Sequence, residues 1–129
     1  MTPGLALAEL IQATATAAGY EIFINHMPDK PDNAILIYEA SGGVLESRKM
    51  ASGEREEHPA LRVLVRGADS SARDVLQSIA DLADTTYKFS LSNGQVLQVI
   101  TKSNTIGFAG HEPQTRRYVY TQNYRLTLE

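Results

Sequence analysis

Three histidines, His26, His58 and His111, are the side chains of this 129-residue sequence best suited to bind a metal or carry a proton. They lie far apart, and none stands three or four positions from another, the spacing that puts two ligands on one helical face. Glu56, Glu57 and His58 form an acid/base cluster by type, but the surrounding GEREEHP is too polar to shift a carboxylate by burial, so they read as exposed charges. Neither Gly42-Gly43 nor Gly107 with Gly110 leads into a helix start carrying Lys-Ser/Thr, so these are turn glycines and not a phosphate cradle. No serine stands in a G-x-S-x-G elbow. The sequence has no cysteine, which removes thiolate nucleophiles, thiolate metal sites and disulfides together and fits a reducing cytosol. The expectation is a protein with no catalytic residues, no metal and no cofactor.

Aromatic residues offer a different chemistry. Tyr118, Tyr120 and Tyr124 recur at strand spacing, with Tyr87 one predicted hairpin earlier. Such a row stacks bases, lines a pocket, or fills a core or a subunit interface. A net charge of -3 lacks the clustered cationic excess that phosphate binding needs, so an interface is the favoured reading. The rival is a small enzyme or ligand-binding domain that uses this row with His26 or His111, and it requires a preformed, mostly apolar cavity.

The elements that place these residues follow from periodicity. Thr2-Pro3 has the form of an N-cap with proline at the first helical position, and Leu7, Leu10, Ile11, Thr14 and Ala18 continue at helical spacing up to Gly19. Tyr20, Ile22 and Ile24 alternate with Glu21, Phe23 and Asn25 as a strand. Pro28 and Pro31 make a turn, and Ala34 to Ala40 forms a second strand stopped by Gly42-Gly43. Leu61, Val63 and Val65 mark a third strand closed by Gly67. From Ser70 to Asp84 the period changes: Ala72, Val75, Leu76, Ile79, Leu82 and Ala83 line one helical face, with caps at Asp69, Ser70 or Ser71. Tyr87 to Leu91, Asn93-Gly94 and Val96 to Ile100 read as a hairpin. Arg117 to Leu128 alternates most regularly and is the longest strand.

This order predicts an α+β fold, a mainly antiparallel sheet packed with two helices and carrying long polar loops, as a single domain over residues 1–129. The start lacks a basic segment before its apolar residues, and no apolar run approaches the ~18 residues of a membrane span, so neither export nor membrane insertion is expected.

Two connections are long and polar. Ser41 to Pro59 carries seven charged residues with only Val44, Leu45 and Met50 as sizeable apolar ones, and Ser103 to Arg116 carries glycines, a proline and mixed charge. Loops of this length are uncommon unless functional or disordered. On a domain without a catalytic constellation they argue for contacts with other subunits. The candidate contact residues are Glu46, Arg48, Lys49, Glu54, Arg55, Glu56, Arg116 and Arg117.

The run PDNAILIYEASGG, followed after a variable polar segment by HPALRVLVRGADSSARDVLQSIADL and later by GFAGHEPQTRRYVYTQNYRLTLE, resembles the tail terminator proteins of long-tailed bacteriophages. The likeness covers most of the chain and rests on the order and spacing of the segments jointly. It implies a structural virion protein, made in the host cytoplasm, that forms a hexameric ring at the head-proximal end of the tail. There it would stop tube polymerisation, contact the tail tube protein and the head-tail connector, and let DNA pass without sequence-specific binding. No cofactor or reaction is implied. A tube subunit or another head-tail joining protein of similar fold is the alternative within the same class.

Overall fold

The computed structural model describes residues 2–14, 16, 19–26, 28–30, 32–39, 46–49, 55–112 and 116–129, with the backbone alone at 46–49, 55–58 and 112. The elements follow as α1 (Pro3–Ala13), β1 (Glu21–Ile24), β2 (Ala34–Glu39), β3 (Glu46–Lys49), β4 (Arg55–His58), β5 (Ala60–Gly67), α2 (Ser71–Thr85), β6 (Phe89–Ser90), β7 (Val96–Lys102), β8 (Gly107–Glu112) and β9 (Arg117–Leu128). The fold is α+β, and among the described residues two helices lie on a mainly antiparallel sheet.

Strand β9 organises that sheet. Along one edge it pairs with β5, from Gly67↔Tyr118 to Ala60↔Arg125, and then with β4 at Glu57↔Leu128. Along the other it pairs with β8 over Arg117 to Thr121 and with β7 over Tyr124 to Leu128. β2 continues outward from β5, and β1 lies on β2 in parallel, the one departure from antiparallel pairing among the described strands.

Both helices cover one face. α1 packs on β1 and β2, and α2 on β5, β7 and β9. The pleat sends Ile35, Ile37, Leu61, Val63, Val65, Tyr124, Leu126, Leu128 and Ile100 into this layer, where they meet Leu7, Leu10 and Ile11 of α1 and Leu76, Ile79 and Ala83 of α2. Leu76 and Ile79 are fully buried.

The ends of α2 agree closely with the sequence expectation. Its first turn is held from outside the helix, because Asp69 Oδ1 accepts from Ser71 N at 2.8 Å. Hydrogen bonds from Ser71, side chain first and backbone second, keep the Asp69 carboxyl below its ordinary pKa. α1 is shorter than its apolar spacing suggested. It begins as expected, with Thr2 Oγ1 accepting from Leu5 N and Glu39 Oε1 accepting from Gly4 N at 3.1 Å. It stops at Ala13, where the Thr14 hydroxyl donates to Leu10 O at 2.9 Å and turns back on the last helical turn. Ala18, expected in the helix, lies outside the described residues.

The two polar stretches are not loop throughout. β3 and β4 pair as a hairpin within the first, an arm that extends the β2–β5 ladder past Pro59. The second contains β8, added to the free edge of β9 with a bulge between Phe108 and Gly110. The expected hairpin at Asn93-Gly94 is present, with Gly94 at φ 90° and Leu91 N donating to Gln95 O at 2.9 Å.

Candidate functional site

The residues with chemical potential are not brought together. His26 is exposed in the β1–β2 connection, His58 stands opposite Glu46 in the arm, and His111 on β8 lies against Tyr118 with ring centroids 4.6 Å apart. Among the described residues no three His, Asp or Glu side chains are grouped to hold a metal ion.

The tyrosine row divides into three environments. Tyr124 belongs to the core, 1% exposed, and donates its hydroxyl to Gln122 Oε1 at 2.6 Å. Burial, reinforced by the fields of Asp84 and Asp81, pushes its phenol well above the ordinary range. Gln122 in turn donates from Nε2 to Asn104 O at 2.8 Å, so the pair tethers the β7–β8 connection to the sheet. Tyr118 and Tyr120 flank Phe108, with centroids at 6.4 and 5.4 Å. Phe108 is 59% exposed, which gives this end of β8 and β9 an aromatic patch that sequence reading missed, since Phe108 stands among glycines and alanine. Tyr87 is exposed and carries Lys88 Nζ 5.2 Å from its ring centroid.

Two hollows among the described residues are surface depressions lined by mixed side chains. One, of about 340 Å³, lies between α2 and the β7–β8 connection and is bordered by Arg73, Gln77, Lys102 and Gln122. Another, of about 270 Å³, runs along α1 and β1 past Leu5, Ile22 and Ile24. Neither matches the apolar cavity with converging polar groups that a small-molecule site needs.

The candidate contact residues fall into three groups. Arg116 is exposed at φ 57°, in the turn that enters β9. Arg117 is buried, which corrects its assignment as a surface contact. Its Nη2 donates to Asp29 Oδ1 at 2.9 Å, its Nη1 donates to Asp29 O, and Asp32 Oδ1 lies 3.5 Å from Nη1. Together with Arg66, whose Nη2 donates to Pro28 O at 2.9 Å, it pins the β1–β2 connection to the sheet face away from the helices. Nothing in RRYV identifies that duty, because the partners lie in a turn 88 positions earlier.

Glu46, Arg48, Lys49, Arg55 and Glu56 share the β3–β4 arm, while Glu54 lies outside the described residues. The register sets Glu46 opposite His58, Ser47 opposite Glu57, Arg48 opposite Glu56 and Lys49 opposite Arg55. Among the described residues the arm meets the body in strand register only at Glu57↔Leu128. The arrangement is that of an assembly part: a sheet with one face covered, an outer edge on β8, an exposed aromatic patch and a charged arm.

Comparison with known proteins agrees. No curated protein matches the sequence. A solved chain described as "Virion of native gene transfer agent (GTA) particle" shares the fold, with a TM-score of 0.59 over 98% of this chain and 94% of that one at 9% identity. A family profile described as bacteriophage tail terminator protein matches residues 5–129, nearly the full length, and the chain belongs to that family.

Proposed function

We propose that this protein caps the head-proximal end of a phage tail tube, where it ends polymerisation and joins tail to head as a closed ring of copies, six by family resemblance. The observation that carries the reading is the match to the tail terminator family across residues 5–129. Likeness in fold to a chain from a gene transfer agent virion supports a place in a particle of this kind. The arm and the β8 edge lie at opposite ends and on opposite edges of β9. Two different surfaces so placed suit a head-to-tail contact that closes by rotation. The tail tube protein and the head connector are the partners on either side, and DNA passes through without sequence-specific binding. Among the described residues no helix is long and apolar enough to cross a membrane.

The test is electron microscopy of particles assembled with and without the chain. Without it, tails should overgrow and fail to join heads, and the added protein should restore defined length. Normal, head-joined tails in its absence would refute the proposal. Polymerisation of the purified chain into open tubes would make it a tube subunit instead.

A further inference from the structure

The sheet ends on two strands whose outer edges have no partner among the described residues, β1 on one side and β8 on the other. Such an edge presents a row of N–H and C=O groups ready to pair with another strand. The two edges are flush with each other. A single row of register partners crosses the whole sheet between them, Phe108↔Tyr120↔Val65↔Ile35↔Ile22. Strand directions along this row leave β8 running opposite to β1.

The same row carries a knob at one end and a groove at the other. Val65 and Ile35 are buried under the helices and Tyr120 and Ile22 pack against that core, so the pleat puts Phe108 on the helix side of β8. α2 rests on β5, β7 and β9, and Phe108 stands beyond it, 59% exposed. At the opposite edge, on the same side of the sheet, Leu5 and Ala8 of α1 border the hollow of about 270 Å³ together with Ile22 and Ile24 of β1. Leu5 is 49% exposed there. Phe108 cannot enter this groove in its own molecule, because β8 and β1 are four strand spacings apart, ~19 Å at ~4.8 Å each.

We infer that β8 pairs antiparallel with β1 of a second copy of this chain, and that Phe108 enters that copy's groove between α1 and β1. Continuing the sheet in this way brings Phe108 beside Ile22, in the layer where the groove opens. Because the edges are flush, each copy joins the next with no rise along the strands, the condition for head-to-tail contacts to close as a ring and not wind into a filament. β1 has four residues, and with Phe108 and the groove the contact involves far fewer than the ~20–30 residues a side of a stable pair. Two copies alone therefore hold weakly, whereas in a closed ring every copy makes the contact at both edges. The inference rests on the ring-forming reading above.

Because the sequence lacks cysteine, a single one can be labelled without background. Ala109→Cys, at an exposed position beside Phe108, carries a benzophenone maleimide and is mixed with isotope-labelled unaltered chain. Rings are assembled on tail tubes and irradiated. Adducts should fall on residues 5–12 or 21–24 of labelled copies. Adducts on the tube protein, on β8 of a labelled copy, or on neither segment overturn the pairing and leave the capping reading standing. In parallel, Phe108→Ala and Leu5→Glu, each at an exposed position, should fold normally and should each weaken ring formation on the order of tenfold or more. Combined in one chain they should weaken it little further, since both remove the same contact. Additive losses, or no loss, overturn the pairing as well. Failure of the unaltered chain to form rings on tubes overturns both readings.

Discussion

Arg66 and Arg117 share one acceptor: the carbonyl oxygen of Asp29 receives hydrogen bonds from both guanidinium groups. β5 and β9 are adjacent, and both residues lie on the face turned away from the helices, so the pair closes over the β1–β2 connection from two strands at once. A parallel pairing usually needs a longer crossover than the nine residues between β1 and β2. The guanidinium clamp holds this short return in place.

Loss of the clamp should therefore be costly on the arginine side. Arg117→Met is expected to lower unfolding free energy by about 1.5–3 kcal/mol, the usual range for hydrogen bonds to charged groups. Arg117→Lys should recover little, because a single ammonium cannot serve Asp29 O, Asp29 Oδ1 and Asp32 together. Asp29→Ala should cost less than Arg117→Met, since the guanidinium keeps its carbonyl and Asp32 contacts. Urea unfolding of the three variants checks the order.

Ile79 is 1% exposed in the face of α2 that rests on the sheet. Its replacement by Ala should cost about 2–5 kcal/mol through lost burial and the cavity left behind. A shift below about half a kcal/mol in denaturant unfolding would contradict this packing.

Gly4 admits no side chain without loss. A Cβ there would stand 2.7 Å from Glu39 Oε1 and 3.2 Å from Ile24 Cγ2, and moving the carboxylate aside gives up its hydrogen bond from Gly4 N. Gly4→Ala should destabilise by about 1–2 kcal/mol despite the better helix propensity of alanine. Adding Glu39→Gln or Glu39→Ala should then cost less than it does alone, which a double-mutant cycle in thermal or urea unfolding measures.

The raised pKa of Tyr124 predicts an alkaline limit. The unfolded phenol titrates near 10, while the buried one holds its proton to higher pH. Its contribution is therefore complete below about pH 10 and is lost as pH rises above it, at about 1.4 kcal/mol per pH unit until the folded phenol also ionises. Tyr124→Phe should flatten this part of the stability profile. It should also lower stability at neutral pH, because Gln122 Oε1 loses its donor.

Replacing residues 46–57 with a short Gly/Ser linker should leave cooperative unfolding nearly intact, since the cost of loop closure depends weakly on length and the arm joins the body in register only at Glu57↔Leu128. Assembly on tubes should fail. Calorimetry and microscopy of the same preparation read the two effects separately.

The parts of this structure legible in the sequence are those whose residues answer to the apolar layer. α2 was expected from Ser70 to Asp84 and runs Ser71–Thr85, and β9 was expected and found at Arg117–Leu128, because burial imposes the helical and twofold periods directly. β3 and β4 were hidden because ESRK and REEH carry no apolar alternation in the sequence, and their pairing is with each other. β8 was hidden because GFAGHE has a glycine at each bend, and it is strand through the edge β9 offers it. The role of Arg117 was hidden for a further reason: a cation followed by a strand looks the same in sequence whether its partner is water or a turn brought near by folding.

The placement of β9 also sets how the protein comes into being. Every strand that β9 unites, β4, β5, β7 and β8, precedes it along the chain. As the polypeptide leaves the ribosome, β5 has only β2 beside it, while β7 and β8 have no long partner until residues 117–128 emerge. The pairing of β5 with β9 is thus late and long-range, 61 positions apart at Arg62 and Asn123, which slows folding and leaves the β5 edge open in the meantime. Synthesis of this protein therefore includes an interval in which β1, β2 and β5 stand as a partial sheet with the β5 edge open, and during which folding competes with association between nascent chains.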